Sequence, residues 1–164
     1  MNTLYNILWV VLALLLQVLL FNHLALFGGI ALVYVVALIK MPVEINRNLQ
    51  ILAGFLVGLS IDIFCNTMGM HALATTTMMW LRTPVLHLYV NSEDVKDGVP
   101  SFNLMGIQEY IRFVVTLLLI HCILLYFIEA FTLFNFLVLL SKIFISLILT
   151  LIVVVTLEFT TLKK

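Results

Sequence analysis

Charge is what this chain has least of. Of its 164 residues only 10% are Asp, Glu, Lys or Arg, against about 25% in an ordinary soluble domain. Eight acidic and eight basic side chains cancel. A nucleic-acid binder carries a basic excess, and a disordered chain combines low hydrophobicity with high net charge; both classes are excluded. Cysteine is also scarce. Cys65 and Cys122 are too few for a metal framework, and in apolar surroundings they read as reduced packing residues. Four histidines, His23, His71, His87 and His121, lie on different segments with no pair four residues apart. No phosphate loop, dinucleotide fingerprint or nucleophile elbow occurs. Gly58-Leu59-Ser60 matches the Gly-x-Ser motif of an intramembrane protease poorly. The chain therefore reads as non-enzymatic, with neither cofactor nor metal.

What fills the sequence instead is apolar residues, 64% of it. A soluble domain of this size has too little interior to hide them. A helical membrane span takes about 20 residues, and the apolar runs fall in six segments: Leu4–Phe21, Leu24–Ile39, Leu49–Cys65, Met70–Val90, Tyr110–Ile128 and Phe136–Leu157. The runs are continuous rather than alternating, which argues for helices and against a β-barrel. The expectation is an all-α, polytopic membrane bundle in one transmembrane domain over residues 1–164. The second segment is the weakest, because Asn22, His23 and Gly28-Gly29 interrupt it. It is either a short span or a re-entrant piece, so six crossings are expected with five as the fallback. The first segment lacks the basic n-region and small-residue cleavage site of a signal peptide and reads as a retained anchor.

Basic residues give the orientation. With the N-terminus inside, Lys40, Arg47, Lys96, Lys163 and Lys164 all fall in inside segments, whereas the outside loops carry only Glu129. By the positive-inside rule both termini are cytoplasmic. The one long loop, Asn91–Glu109, holds Glu93, Asp94, Asp97 and Glu109 against Lys96, with Gly98, Pro100 and Gly106 as breakers. It reads as a solvated connector or a docking site for a cytoplasmic partner, with Phe102, Leu104, Met105 and Ile107 placed to lie on the membrane surface.

Four charges fall within spans: Asp62, Arg82, Arg112 and Lys142. Each costs about 2.5–3.5 kcal/mol at a span centre, so such residues face the protein interior and find partners. Arg112 is near enough to the cytoplasmic end of its span to snorkel. Gly54, Gly58 and Asp62 recur every four residues and share one helix face; the glycine pair invites close approach by another helix. Asp62 then has a structural role, in an ion pair or a helix cap, or else binds a ligand or proton. Lys142 shares a stripe with Ser146 and Thr150, and Arg82 one with His71, Thr75 and Met78. Either Lys142 or Arg82 is placed to pair with Asp62, and depth favours Lys142. Pro84 is expected to kink or interrupt the fourth helix. Gln17, Asp62, His71, His121 and Lys142 all map to the outer half, as a cavity lining or a buried hydrogen-bonded network.

The block Gly54-Phe-Leu-Val-Gly58-Leu-Ser-Ile-Asp62-Ile-Phe-Cys-Asn66-Thr-Met-Gly69-Met-His71-Ala72-Leu-Ala74 resembles the signature of the MreD family of rod shape-determining membrane proteins. Arg82 and Pro84 continue the likeness, as do Gln17, Asn22-His23 and Gly28 before it and His121 and Glu129 after it. The resemblance implies a non-enzymatic scaffold of the cell-elongation complex in the bacterial inner membrane. Its direct partner would be MreC, with MreB and the RodA–penicillin-binding protein synthase reached through the complex, in the service of peptidoglycan synthesis and cell shape. It also implies a fold similar to the S-components of energy-coupling-factor transporters, six-helix bundles with an outer cavity for a vitamin-type ligand. Those often carry Ala-x-x-x-Ala in the first span, where this chain has only Ala13. A ligand-binding S-component is thus the alternative reading.

Overall fold

A computed structural model describes residues 3–26, 28–91, 95, 98–130 and 135–162, with main chain alone for 3–7, 23, 161 and 162. Seven α-helices are described: α1 Thr3–Leu19, α2 Val33–Ile39, α3 Arg47–Cys65, α4 Met70–Tyr89, α5 Phe102–Met105, α6 Ile107–Ala130 and α7 Phe136–Leu162. Among the described residues three of them, α3, α6 and α7, are long and apolar enough to cross a membrane. The fourth predicted segment forms a helix of 20 residues, but Thr75-Thr76-Thr77, His71, Arg82 and His87 dilute its apolarity.

The second predicted segment differs most from expectation. Only Val33–Ile39 is helical, and all seven of its residues are buried. It touches α1, α3, α4, α6 and α7, so the shortest of the inner helices is the hub of the bundle. The chain reaches it through a turn in which Leu26 and Gly29 exchange two main-chain hydrogen bonds, with Gly28 at φ 82°, and then runs non-helically through residues 30–32. Such backbone survives in an apolar setting only where protein satisfies it. Here the N–H groups of Ile30 and Leu32 donate to Ser146 Oγ and Thr150 Oγ1 of α7, both at 2.9 Å. The N–H of Val33 donates to Gln17 Oε1 of α1 at 2.7 Å. Gln17 and the Ser146/Thr150 stripe therefore hold the broken segment in place.

Local chemistry sets the other boundaries. Asn46 caps α3 by accepting from Asn48 N–H. Asn66 ends that helix in the left-handed region at φ 54°. Of the kink or interruption expected at Pro84, the interruption does not occur: α4 runs through it as one helix. A proline at this position offers no N–H to the Trp80 carbonyl four residues earlier, and Arg47 Nη2 donates to that carbonyl instead, at 3.0 Å. The loop between α4 and α6 is not simply solvated: Val95, Pro100, Phe102 and Met105 are buried. Phe102 packs edge-on against Tyr110 and Phe159, with ring centroids 5.2 and 5.8 Å apart. Of the residues expected on the membrane surface, Ile107 is the exposed one, and it belongs to α6, which starts three residues before the predicted span. Glu93, Asp94, Lys96, Asp97, Lys163 and Lys164 lie outside the described residues.

Candidate functional site

The polar side chains gather at two ends of the bundle. One end is built on the tight turn between α3 and α4. Gly69, at φ 74°, precedes α4 and has no side chain with which to cap it. Asp62 does so from the last turn of α3, accepting from His71 N–H at 3.1 Å and Ala72 N–H at 2.8 Å. The Thr67 hydroxyl also donates to this carboxylate. The positive end of the α4 dipole thus supplies what an ion pair would, without desolvating a second charge. Neither Lys142 nor Arg82 pairs with Asp62, which corrects the depth argument. Gly54 and Gly58 make this possible, because their face meets α4 at backbone distance. A methyl added at Gly58 would stand 2.6 Å from both Ala72 Cα and the His71 carbonyl oxygen.

Beneath the turn three helices join in a buried chain. Tyr34 of α2 places its hydroxyl 2.8 Å from His71 Nδ1 of α4 and 2.9 Å from His121 Nε2 of α6. A hydroxyl has one proton, so Tyr34 donates to one imidazole while accepting from the other, and the two rings hold opposite hydrogen-bonding states at these nitrogens. Gln17 extends the network by donating to Asn22 Oδ1 at 2.8 Å, and Asn22 Nδ2 donates to Cys65 Sγ. Tyr126 bonds Ser146 Oγ.

A cleft of about 510 Å³ opens over this network, within the 300–1,000 Å³ range of small-molecule sites. Phe64, Met70 and Leu125 supply apolar wall, while Thr67, His71, Tyr126 and Glu129 supply polar groups. Lys142 stands at its edge, 2.7 Å from Glu129 Oε1 and 5.8 Å from the centroid of the Tyr126 ring.

Arg82 lies at the opposite end. Its guanidinium, 1% exposed, donates to Gln50 Oε1 at 2.7 Å and to the Ile39 carbonyl at 3.2 Å. It also donates to the Met41 carbonyl. It thereby closes the C-terminal end of α2, where the helix dipole is negative. Beside it Lys40 and Glu158 form an ion pair at 2.7 Å. Glu158 is buried inside α7, four residues before the described end of that helix, whereas its place after the last apolar run marks it in the sequence as a span end.

The structure therefore brings together Gln17, Asp62, Gly69, His71 and His121, stations Lys142 at the rim, places Gly54 and Gly58 in the α3–α4 contact, and separates Arg82 from all of them. Sequence reasoning missed Tyr34, Gln50, Tyr126 and Glu158. Tyr34 was detectable as the one polar atom in the run Ala31–Ile39. Among the described residues these features define an all-helical bundle in which three helices are long and apolar enough to cross a membrane. No family model, curated protein or solved structure matches the chain.

Proposed function

We propose that the chain is a multi-pass inner-membrane scaffold of the MreD type, binding MreC and through it the machinery of lateral peptidoglycan synthesis. In this reading it crosses the membrane six times with both termini cytoplasmic, the second crossing being α2 with its extended lead. One observation carries the proposal. Each motif residue of the block from Gly54 to Ala74 that resembles the family signature has an architectural task in the α3–α4 unit. Gly54 and Gly58 admit α4, Asp62 caps it, and Gly69 makes the turn. His71 ties the unit to α2, and Ala74 is buried in the core. A motif whose glycines and carboxylate all serve the α3–α4 contact suits a protein that presents a fixed surface.

The test is affinity capture from native membranes. MreC is expected with the wild-type chain, and deleting the gene is expected to round a rod-shaped cell. Asp62→Asn retains one carbonyl acceptor for two N–H groups and is expected to lower both folded yield and MreC capture. Isolation of the folded chain from such membranes without MreC would end the scaffold reading. The cleft of about 510 Å³ favours a second reading, a vitamin-type S-component. A thermal-shift screen against vitamins separates the two, since a ligand that binds only the folded state raises its apparent stability.

A further inference from the structure

The cleft already shows what kind of charge it holds. Among the described residues that line it, Glu129 alone carries a formal charge, and Asp62 lies directly behind Thr67 and His71. The charged group on its wall is thus a carboxylate, which attracts cations and repels anions, while the Asp62 charge is taken up by the N-terminus of α4. The nearest cation, Lys142, belongs to the protein itself. Its ammonium sits against the Glu129 carboxylate and over the Tyr126 ring, which together are the two groups that recognise an ammonium: a counter-ion and an aromatic face. The Lys142 side chain arrives there across Gly28. Tyr126 and Glu129 line both the cleft and a smaller cavity of about 190 Å³, and Lys142 lines the smaller one.

Two further features suit exchange of this ammonium. The Lys142 and Glu129 side chains are 27% and 40% exposed and Glu129 lies one residue from the end of α6; partly exposed pairs are individually weak. Deeper in, His71 is 93% buried by its 7% exposure. Its Nδ1 is committed to Tyr34, which leaves the other ring nitrogen as the polar atom it can offer to the cleft it lines.

We infer that the cleft is a binding site for an amphiphilic molecule bearing a protonated amine, which takes the place of the Lys142 ammonium. Glu129 is the counter-ion, the Tyr126 ring covers the cationic head, and His71 Nε2 meets the ligand further in. The apolar body packs on Phe64, Met70 and Leu125. The amine comes from a soluble molecule or from an aminophospholipid headgroup; the chemistry recognised is the same. This inference is independent of the scaffold reading, because MreC capture and amine binding are scored separately.

The test uses the full chain in phosphatidylglycerol nanodiscs, with its melting temperature as the readout. Phenethylammonium is the probe and phenethyl alcohol its neutral isostere. The amine is expected to raise the melting temperature saturably and the alcohol to leave it unchanged, with the shift lost in Glu129→Gln. Lys142→Met removes the internal competitor and is expected to lower the amine's midpoint concentration about two- to five-fold, as displacement of an exposed pair implies. Ligand-free melting of each variant reports its folding separately. Replacing half the lipid with phosphatidylethanolamine distinguishes the source: a Glu129-dependent rise there, without one from the soluble amine, assigns the site to the lipid headgroup. Equal shifts from amine and alcohol, or amine and lipid shifts that survive Glu129→Gln, overturn the site. An unchanged midpoint in Lys142→Met overturns the exchange.

Discussion

Each end of the bundle carries a lysine–glutamate pair, and both pairs close at 2.7 Å. At one end Lys40 and Glu158 have side chains 14% and 2% exposed; at the other, Lys142 and Glu129 are 27% and 40% exposed. The equal distance conceals unequal roles. A charge withdrawn from solvent must keep its partner, because losing one leaves the other unscreened in a poor dielectric. A charge at a rim can return to water at little cost. The neighbours follow suit. Beside Lys40, the buried guanidinium of Arg82 spends hydrogen bonds on Gln50 and on the end of α2, so that end is locked. Beside Lys142, a cleft bounded by histidine, tyrosine and glutamate side chains remains open. The molecule thus has a fastened end and an exchangeable one.

The strongest challenge to this contrast is Lys40→Met. It removes the ammonium that pairs with the buried Glu158 carboxylate and is expected to cost about 3–5 kcal/mol of stability, read by reversible unfolding in mixed micelles. The double variant Lys40→Met/Glu158→Met is expected to recover most of that loss, since a well-packed apolar pair can replace a buried ion pair. Arg82→Lys keeps the charge but loses the planar fork that serves several acceptors at once. A loss of about 1.5–3 kcal/mol is expected in the same assay, and an unchanged midpoint would show that charge alone closes α2. Gly58→Ala tests the open end's scaffold. Its methyl meets backbone at 2.6 Å, so about 1–3 kcal/mol is expected. Gly54→Ala is expected to cost less, because the nearest atom there is the flexible Met79 side chain. The smallest effect is that of Lys142→Met on ligand-free stability, within about 1 kcal/mol. A cost equal to that of Lys40→Met would erase the distinction between the ends.

The α3–α4 unit was legible in the sequence because a four-residue spacing of glycine and aspartate is a statement about one helix face, and a face is what packs. A helix cap was one of the roles expected of Asp62, but its partners were not legible, because they are main-chain N–H groups of His71 and Ala72, which no residue type advertises. Matching charges by depth therefore led to Lys142, whose actual partner is Glu129 on the neighbouring helix. The interruption of the second segment was signalled by Asn22 and by Gly28-Gly29. Its satisfaction was hidden, since the groups that complete it lie on α1 and α7. Glu158 escaped notice because the apolar run stops at Leu157 while the helix continues to Leu162; apolarity marks lipid contact, and this residue faces protein.

The non-helical lead into α2 also bears on the order in which the chain can be built. The N–H groups of Ile30 and Leu32 are completed by hydroxyls 116 and 118 residues further on. During synthesis from the N-terminus, nearly nine-tenths of the 164 residues are made before either acceptor exists. Closure of residues 30–32 therefore waits on α7, whereas Val33, the first residue of the hub helix, is served earlier by Gln17 of α1.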